Sequence, residues 1–201
     1  MGRPLIQQKR GKGGPRYRVP NYSFRPNITY KDQTGRVVDI VNQVTRNPPL
    51  AKVRYPDNKV AYLIAPEGMK VGDSTSGLVQ KLADVQAGKQ ISCIESYPNS
   101  GPRFCMTSGS AATLVSKGPK TAIIQMPSKK TKVLNLECRA MLGVPAGDGR
   151  KEKPWVKAGK KWHAMHARGK YYPRTSGNKM NALDHPFGGS SKSPGKSKSV
   201  S

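Results

Sequence analysis

Branched apolar residues crowd into the middle of this chain, between about residue 35 and residue 144, and are sparse at both ends. A hydrophobic core needs such residues, so only the middle can build one. About 110 residues suffice for one or two small cores. Charge divides the chain in the same way. Residues 1–30 hold seven lysines and arginines and no acidic residue. Residues 31–144 hold 16 basic and 8 acidic groups, and residues 145–201 hold 13 and 3. A nearly balanced centre is flanked by two cationic ends.

Within the centre the pattern is that of strands. Arg36–Val41 alternates weakly and is rich in β-branched residues. Leu50–Tyr55 alternates cleanly, with Ala51, Val53 and Tyr55 on one face, and Pro56-Asp57-Asn58 signals a hairpin into Lys59–Ala65. Further strands are predicted at Gln90–Glu95, Ala112–Ser116, Thr121–Met126 and Thr131–Leu136, each ended by Gly, Pro, Asn or Lys-rich turns. Strands this short and this close together suggest small antiparallel barrels, the second closing near Glu137–Ala140. Between the two groups, Val79, Leu82 and Val85 recur at a helical spacing in a short segment, which leaves Ser76–Ala87 open between helix and irregular chain.

The net charge of +25 on 201 residues would repel itself unless a polyanion neutralises it, which points to nucleic acid or an anionic membrane. The charge lies mostly in Gly/Pro-rich text rather than on an amphipathic helix, so a membrane surface is disfavoured. No apolar run approaches the length of a membrane span, and no apolar stretch of signal-peptide type follows the N-terminus. Cys93, Cys105 and Cys138 are widely spaced and odd in number. They match no zinc pattern and fit buried free thiols in a reducing compartment.

The ends read as RNA-binding text. Arg10, Lys12, Arg16 and Arg18 are interleaved with Gly11, Gly13, Gly14 and Pro15, so the backbone can approach phosphates that the cations neutralise. Tyr17, Tyr22 and Phe24 could stack on unpaired bases. Free in solution this arm is expected to be disordered. In the C-terminal stretch, Lys157, Lys160, Lys161, Arg168, Lys170 and Arg174 alternate with Trp155, Trp162, Tyr171 and Tyr172, and one or two helical turns fit within 157–168. His163 and His166 have a metal-like spacing, but Lys160 and Lys161 would repel a dication and no third ligand is near, so no metal is expected.

The string Met180-Asn-Ala-Leu-Asp-His-Pro-Phe-Gly-Gly189 cannot build a core. Pro186, Gly188 and Gly189 oppose regular structure. Asp184 and His185 could be read as an acid–base pair, yet adjacent loop side chains need not face one another and no nucleophile lies close in sequence. The alternative is recognition. Asp184 accepts hydrogen bonds and therefore meets hydroxyl, amino or backbone donors; His185 can donate to phosphate or a 2′-hydroxyl and can stack. Pro186 biases His185 to extended backbone, and Gly188 and Gly189 would let the backbone lie close to RNA.

These residues carry a resemblance. Arg10-Gly-Lys-Gly-Gly, Val37-Val-Asp-Ile40, Ala65-Pro-Glu-Gly68 with Val71-Gly-Asp73, Ser108-Gly109, Met126-Pro-Ser128, Cys138-Arg-Ala140 with Gly143-Val144, Lys157-Ala-Gly159 and above all Met180–Gly189 resemble the universal ribosomal protein two family of the large subunit, in its archaeal and eukaryotic form. The likeness spans almost the whole chain. It departs at Gly77–Leu82, where the family has a Gly-Asn-x-Leu-Pro-Leu segment, and at Ser176–Lys179, usually Arg-Gly-Val-Ala. The chain also ends at Ser201, short of the family's further basic tail, so the resemblance implies a shortened and divergent member.

The resemblance implies a mainly β fold, an OB-like barrel followed by an SH3-like barrel, with long basic non-globular extensions at both ends. The expected division is a basic arm at 1–34, the OB-like barrel at 35–86, the SH3-like barrel at 87–146 and a basic extension at 147–201. It implies a structural, non-enzymatic constituent of the large ribosomal subunit, in the cytoplasm. The protein would bind ribosomal RNA and support the region around the peptidyl-transferase centre, subunit association and translation. Expected RNA-contacting residues are Arg10, Lys12, Arg16, Arg18, Lys157, Lys160, Lys161, Arg168, Lys170, Arg174, Met180, Asn181, Asp184, His185, Phe187, Gly188 and Gly189. Partners would be large-subunit RNA, neighbouring ribosomal proteins and small-subunit RNA, with no membrane and no small-molecule substrate. No cofactor is expected; Mg2+ could bridge to RNA phosphates. A non-ribosomal RNA chaperone is the minor alternative.

Overall fold

The computed structural model describes residues 2–21 and 23–189. The chain divides into two compact units, one made of residues 24–154 and the other of residues 1–23 together with 155–201.

The central unit is all β. Arg36–Val41 (β1), Leu50–Arg54 (β2) and Val60–Ile64 (β3) form an antiparallel sheet in that order. Ala51 pairs with Leu63 and Val53 with Ala61, which puts the alternating apolar set on one side, while Leu50 and Ile64 pair on the other. The β2–β3 turn is the one expected at Pro56-Asp57-Asn58, with Asn58 at φ 56° and its N–H donating to Tyr55 O at 2.9 Å. Asparagine tolerates this left-handed conformation better than most residues. A bulge between Val37 and Asp39 curls β1. Val37, Leu50, Val53, Leu63 and Ile64 are buried together with Tyr30, Cys93 and Met141 in a first core.

Val79–Lys81 (β4), Gln90–Ser92 (β5), Ile94–Glu95 (β6), Pro102–Phe104 (β7), Ala112–Lys117 (β8), Thr121–Gln125 (β9), Thr131–Asn135 (β10) and Arg139–Leu142 (β11) follow. Six of them form one antiparallel sheet in the order β10-β9-β8-β5-β11-β4, and β6 pairs with β7. Leu82, Val85, Ile91, Ile94, Leu114, Ile124, Leu134 and Cys138 make the second core. The unit is mainly β with curled sheets, consistent with OB-like and SH3-like domains.

Three local expectations are refined. Ser76–Ala87 holds no helix: Val79 is in β4, paired with β11, and Leu82 and Val85 are buried through turns in the second core. Gln90–Glu95 is two strands, broken at Cys93 (φ 51°), so β5 and β6 enter different sheets. The turn that ends this stretch runs only to Pro102, which opens β7 opposite Glu95.

The two sheets of the second group are tied by a buried ion pair. Glu95 is fully buried. Its carboxylate receives the backbone N–H groups of Arg139 (2.9 Å), Gly101 (3.1 Å) and Asn99 (3.3 Å), and the Arg139 guanidinium at 3.0 Å. Arg139 also pairs with Asp32 at 2.9 Å. A carboxylate taken out of water must be fully paired in this way. All three cysteines are free. Burial pushes the Cys93 thiol up to about 12 and raises Cys105 and Cys138, so none is primed as a thiolate.

Candidate nucleic-acid interface

The second unit joins the two cationic ends, which the sequence presents as separate extensions. The N-terminal part carries a short helix, Ile6–Arg10 (α1), and a 3₁₀ turn at Pro15–Tyr17. Leu5, which precedes α1, is buried. The C-terminal part carries Ala158–Ala167 (α2), ten residues and longer than the one or two turns expected. No residue of α2 is buried. Lys161, Ala164, Met165 and Ala167 are half-buried and the rest of the helix is exposed, so it gains little from core packing.

Aromatic contacts hold the two parts together. Tyr17 and Tyr171 have ring centroids 6.3 Å apart, and the Arg16 guanidinium lies 5.0 Å above the Tyr171 ring. Tyr17 OH donates to Ile6 O at 3.3 Å. Gly169, at φ 63°, sits so close to the N-terminal backbone that a Cβ would lie 2.8 Å from Tyr17 O and 3.1 Å from Val19 N. On α2, Trp162 stacks on His166 at 5.0 Å and 11°, and the Lys161 ammonium lies 5.1 Å from the Tyr172 ring centroid. Arg10, Tyr17, Lys170, Tyr171 and Arg174 line one cleft, and Arg16, Trp162, Lys170 and Tyr172 line another. Tyr22 and the Ser/Lys tail from residue 190 lie outside the described residues.

The loop Met180–Gly189 is closed by its own hydrogen bonds. The N–H groups of Asp184 and His185 both donate to Asn181 O (3.0 and 3.3 Å), Gly188 N–H donates to His185 O (2.9 Å), and Gly189 N–H donates to Met180 O (3.2 Å). His185 Nδ1 accepts the Phe187 N–H at 3.1 Å, and the two rings lie 4.9 Å apart. With Nδ1 accepting, the proton of the neutral ring sits on Nε2, which is left as a donor. The Asp184 carboxylate meets a partner that sequence reasoning missed: Arg3 Nη1 at 3.4 Å, with Arg3 N–H also donating to Leu183 O at 2.9 Å.

Gly188 also has a reason within the loop itself. It is buried, and an added Cβ would strike the backbone of Asn181 and Met180, at 2.5 Å from the Asn181 carbonyl carbon. The loop's own closure excludes a side chain there. Gly189, at φ 100°, is exposed and conformationally required.

Among the described residues, the Arg3–Asp184 bridge is the only ion pair of this unit. Arg10, Lys12, Arg16, Arg18, Lys157, Lys160, Lys161, Arg168, Lys170 and Arg174 thus have no carboxylate partner there. All are exposed except Lys161 and Arg168, which are half-buried, and the Arg168 Nε is buried without a hydrogen-bond partner. Met180, Asp184, His185 and Phe187 are half-buried and Asn181 is exposed. Among the described residues no group of three His, Cys, Asp or Glu could hold a metal ion, and no helix is long and apolar enough to cross a membrane.

Curled β sheets in one unit, and in the other unpaired cations interleaved with aromatic rings, define a nucleic-acid-binding class of protein. Family comparisons then make the assignment specific. The chain matches the model for Ribosomal Proteins L2, RNA binding N-terminal domain, over residues 2–76, and that for Ribosomal Proteins L2, C-terminal domain, over residues 75–201. It is 41% identical to the large ribosomal subunit protein uL2 of Halorubrum lacusprofundi and 40% identical to that of Natronomonas pharaonis, covering all of this chain and 90% and 89% of those proteins. It is also 40% identical to the Archaeoglobus fulgidus uL2, covering all of this chain and 91% of that one. The chain belongs to the ribosomal protein L2 family.

Proposed function

We propose that this protein is a structural constituent of the large ribosomal subunit in the cytoplasm, binding ribosomal RNA without catalysing a reaction. The observation that carries this reading, beside family membership, is the gathering of ten cations without carboxylate partners into one unit that also presents Trp162, Tyr171 and Tyr172. Such a unit would repel itself in isolation and is neutralised by phosphates, while the rings offer stacking surfaces to unpaired bases. The RNA-facing set is the ten cations together with Met180, Asn181, Asp184, His185, Phe187 and Gly189, with Gly188 as the residue that lets the loop close. The loop supports the RNA around the peptidyl-transferase centre by shape and hydrogen bonding. Neighbouring ribosomal proteins and small-subunit RNA complete its partners, and any Mg2+ would bridge phosphates. The central unit supplies an OB-like body followed by an SH3-like body, and the pairing of β4 with β11 supports counting β4 with the second.

The test is sedimentation of the full chain with large subunits in high salt. Retention at near one copy per subunit is expected. Release into the supernatant, with continued binding to unrelated RNA at low salt, is the behaviour of a chaperone and would refute the ribosomal role.

A further inference from the structure

We propose that the cleft between α1 and the Met180–Gly189 loop receives one unpaired guanine base of the RNA, read by the Asp184 carboxylate. This rests on the RNA-binding reading above.

The cleft encloses about 220 Å³. That is below the ~300–1,000 Å³ of clefts that take whole small-molecule ligands, and suits a single planar ring system. Ile6, Met180 and Phe187 supply apolar walls, as a base leaving its stack requires. Gln7, Arg174, Asp184 and His185 supply the polar groups.

A carboxylate in an RNA-facing site needs a reason, since it repels phosphate. Here the charge is offset by Arg3, whose single contact at 3.4 Å to Oδ1 leaves Oδ2 and a lone pair of Oδ1 unused. The backbone that carries this side chain is held in place, because the N–H groups of Asp184 and His185 are both bonded to Asn181 O. Two acceptors fixed side by side match two adjacent N–H donors. Among the four RNA bases only guanine offers these on its Watson–Crick edge, at N1 and N2. Adenine and cytosine place an acceptor beside their amino group, and uracil has a single imino N–H between two carbonyls. His185 Nε2–H, free because Nδ1 is engaged by Phe187 N–H, is a donor suited to guanine O6. The Arg174 guanidinium, exposed at the mouth, suits the phosphate of the same nucleotide.

The experiment is chemical probing of large-subunit RNA with kethoxal, which modifies only guanines whose N1 and N2 are free. Probing is done with the full chain bound and absent. One unpaired guanine is expected to lose reactivity on binding, and Asp184→Asn or Gln7→Ala is expected to restore it. Replacing that guanine by inosine, which lacks the N2 amino group, is expected to weaken wild-type binding about tenfold, in the range of one bidentate base contact. The same replacement should cost Asp184→Asn little. If Asp184→Asn disorders the loop, Gln7→Ala and the inosine substitution still decide. RNA binding with no guanine protected, or with protection unchanged in both variants, overturns the guanine site alone. Absence of any RNA retention would overturn the RNA-binding reading and this proposal with it.

Discussion

Substituting Gly188 by alanine probes whether the loop's shape comes from within. The added Cβ would lie 2.5 Å from the Asn181 carbonyl carbon and 2.6 Å from Met180 O. Both are backbone atoms, so no side chain can swing aside. The loop must open, and the bonds from Gly188 N–H to His185 O and from Gly189 N–H to Met180 O are lost. Two backbone hydrogen bonds contribute roughly 0.5–1.5 kcal/mol each. Overpacking strain adds roughly 1–3 kcal/mol. The local cost is then about 2–6 kcal/mol, concentrated in a segment of low intrinsic stability, so the loop should melt while the β unit stays folded. Amide exchange should show Gly189 N–H losing protection, with β2 and β9 unchanged, and affinity for large-subunit RNA should fall at least about tenfold, as 1.4 kcal/mol is a factor of ten. Gly159→Ala is the control: no atom lies within 4 Å of its Cβ position in α2, and it should be neutral or slightly stabilising. Retained protection of Gly189 N–H and unchanged affinity in Gly188→Ala would refute the reasoning.

Arg139→Met should destabilise the central unit by about 3–5 kcal/mol, the cost of stranding the buried Glu95 carboxylate without its cation, and a urea melt showing less than about 1 kcal/mol would contradict the pairing. RNA affinity should drop on the order of a thousandfold or more between about 50 and 200 mM salt if six to ten phosphates are contacted, and a flat titration would deny the electrostatic interface. His185→Gln keeps an acceptor for Phe187 N–H and should preserve most assembly and single-turnover peptidyl transfer. Normal assembly with peptidyl transfer lowered by orders of magnitude would instead point to proton transfer by His185.

Strand content was legible in the residues because a strand's period of two is written locally. Ala51, Val53 and Tyr55 alternate in the sequence and are the residues buried on one face of β2 and its turn. The hairpin at Asn58 was equally local, since the turn needs only a residue that tolerates positive φ. Val79, Leu82 and Val85 show the limit. Their spacing has a helical period, but β4 spans three residues, too few to display any period, and its partner β11 lies about 60 residues onward.

By itself the sequence determined the charge of the ends, the place of the cores, the turn positions and the family signature, all of which depend on residue identity or near neighbours. Only the tertiary structure decided that the two cationic ends form one unit, that Arg3 holds Asp184 across 181 residues, that Glu95 is neutralised by Arg139, and that Gly188 answers to Asn181 and Met180. The physical reason is that an ion pair or a close backbone approach depends on distance in space, and nothing in local periodicity encodes which distant segment the chain will bring there.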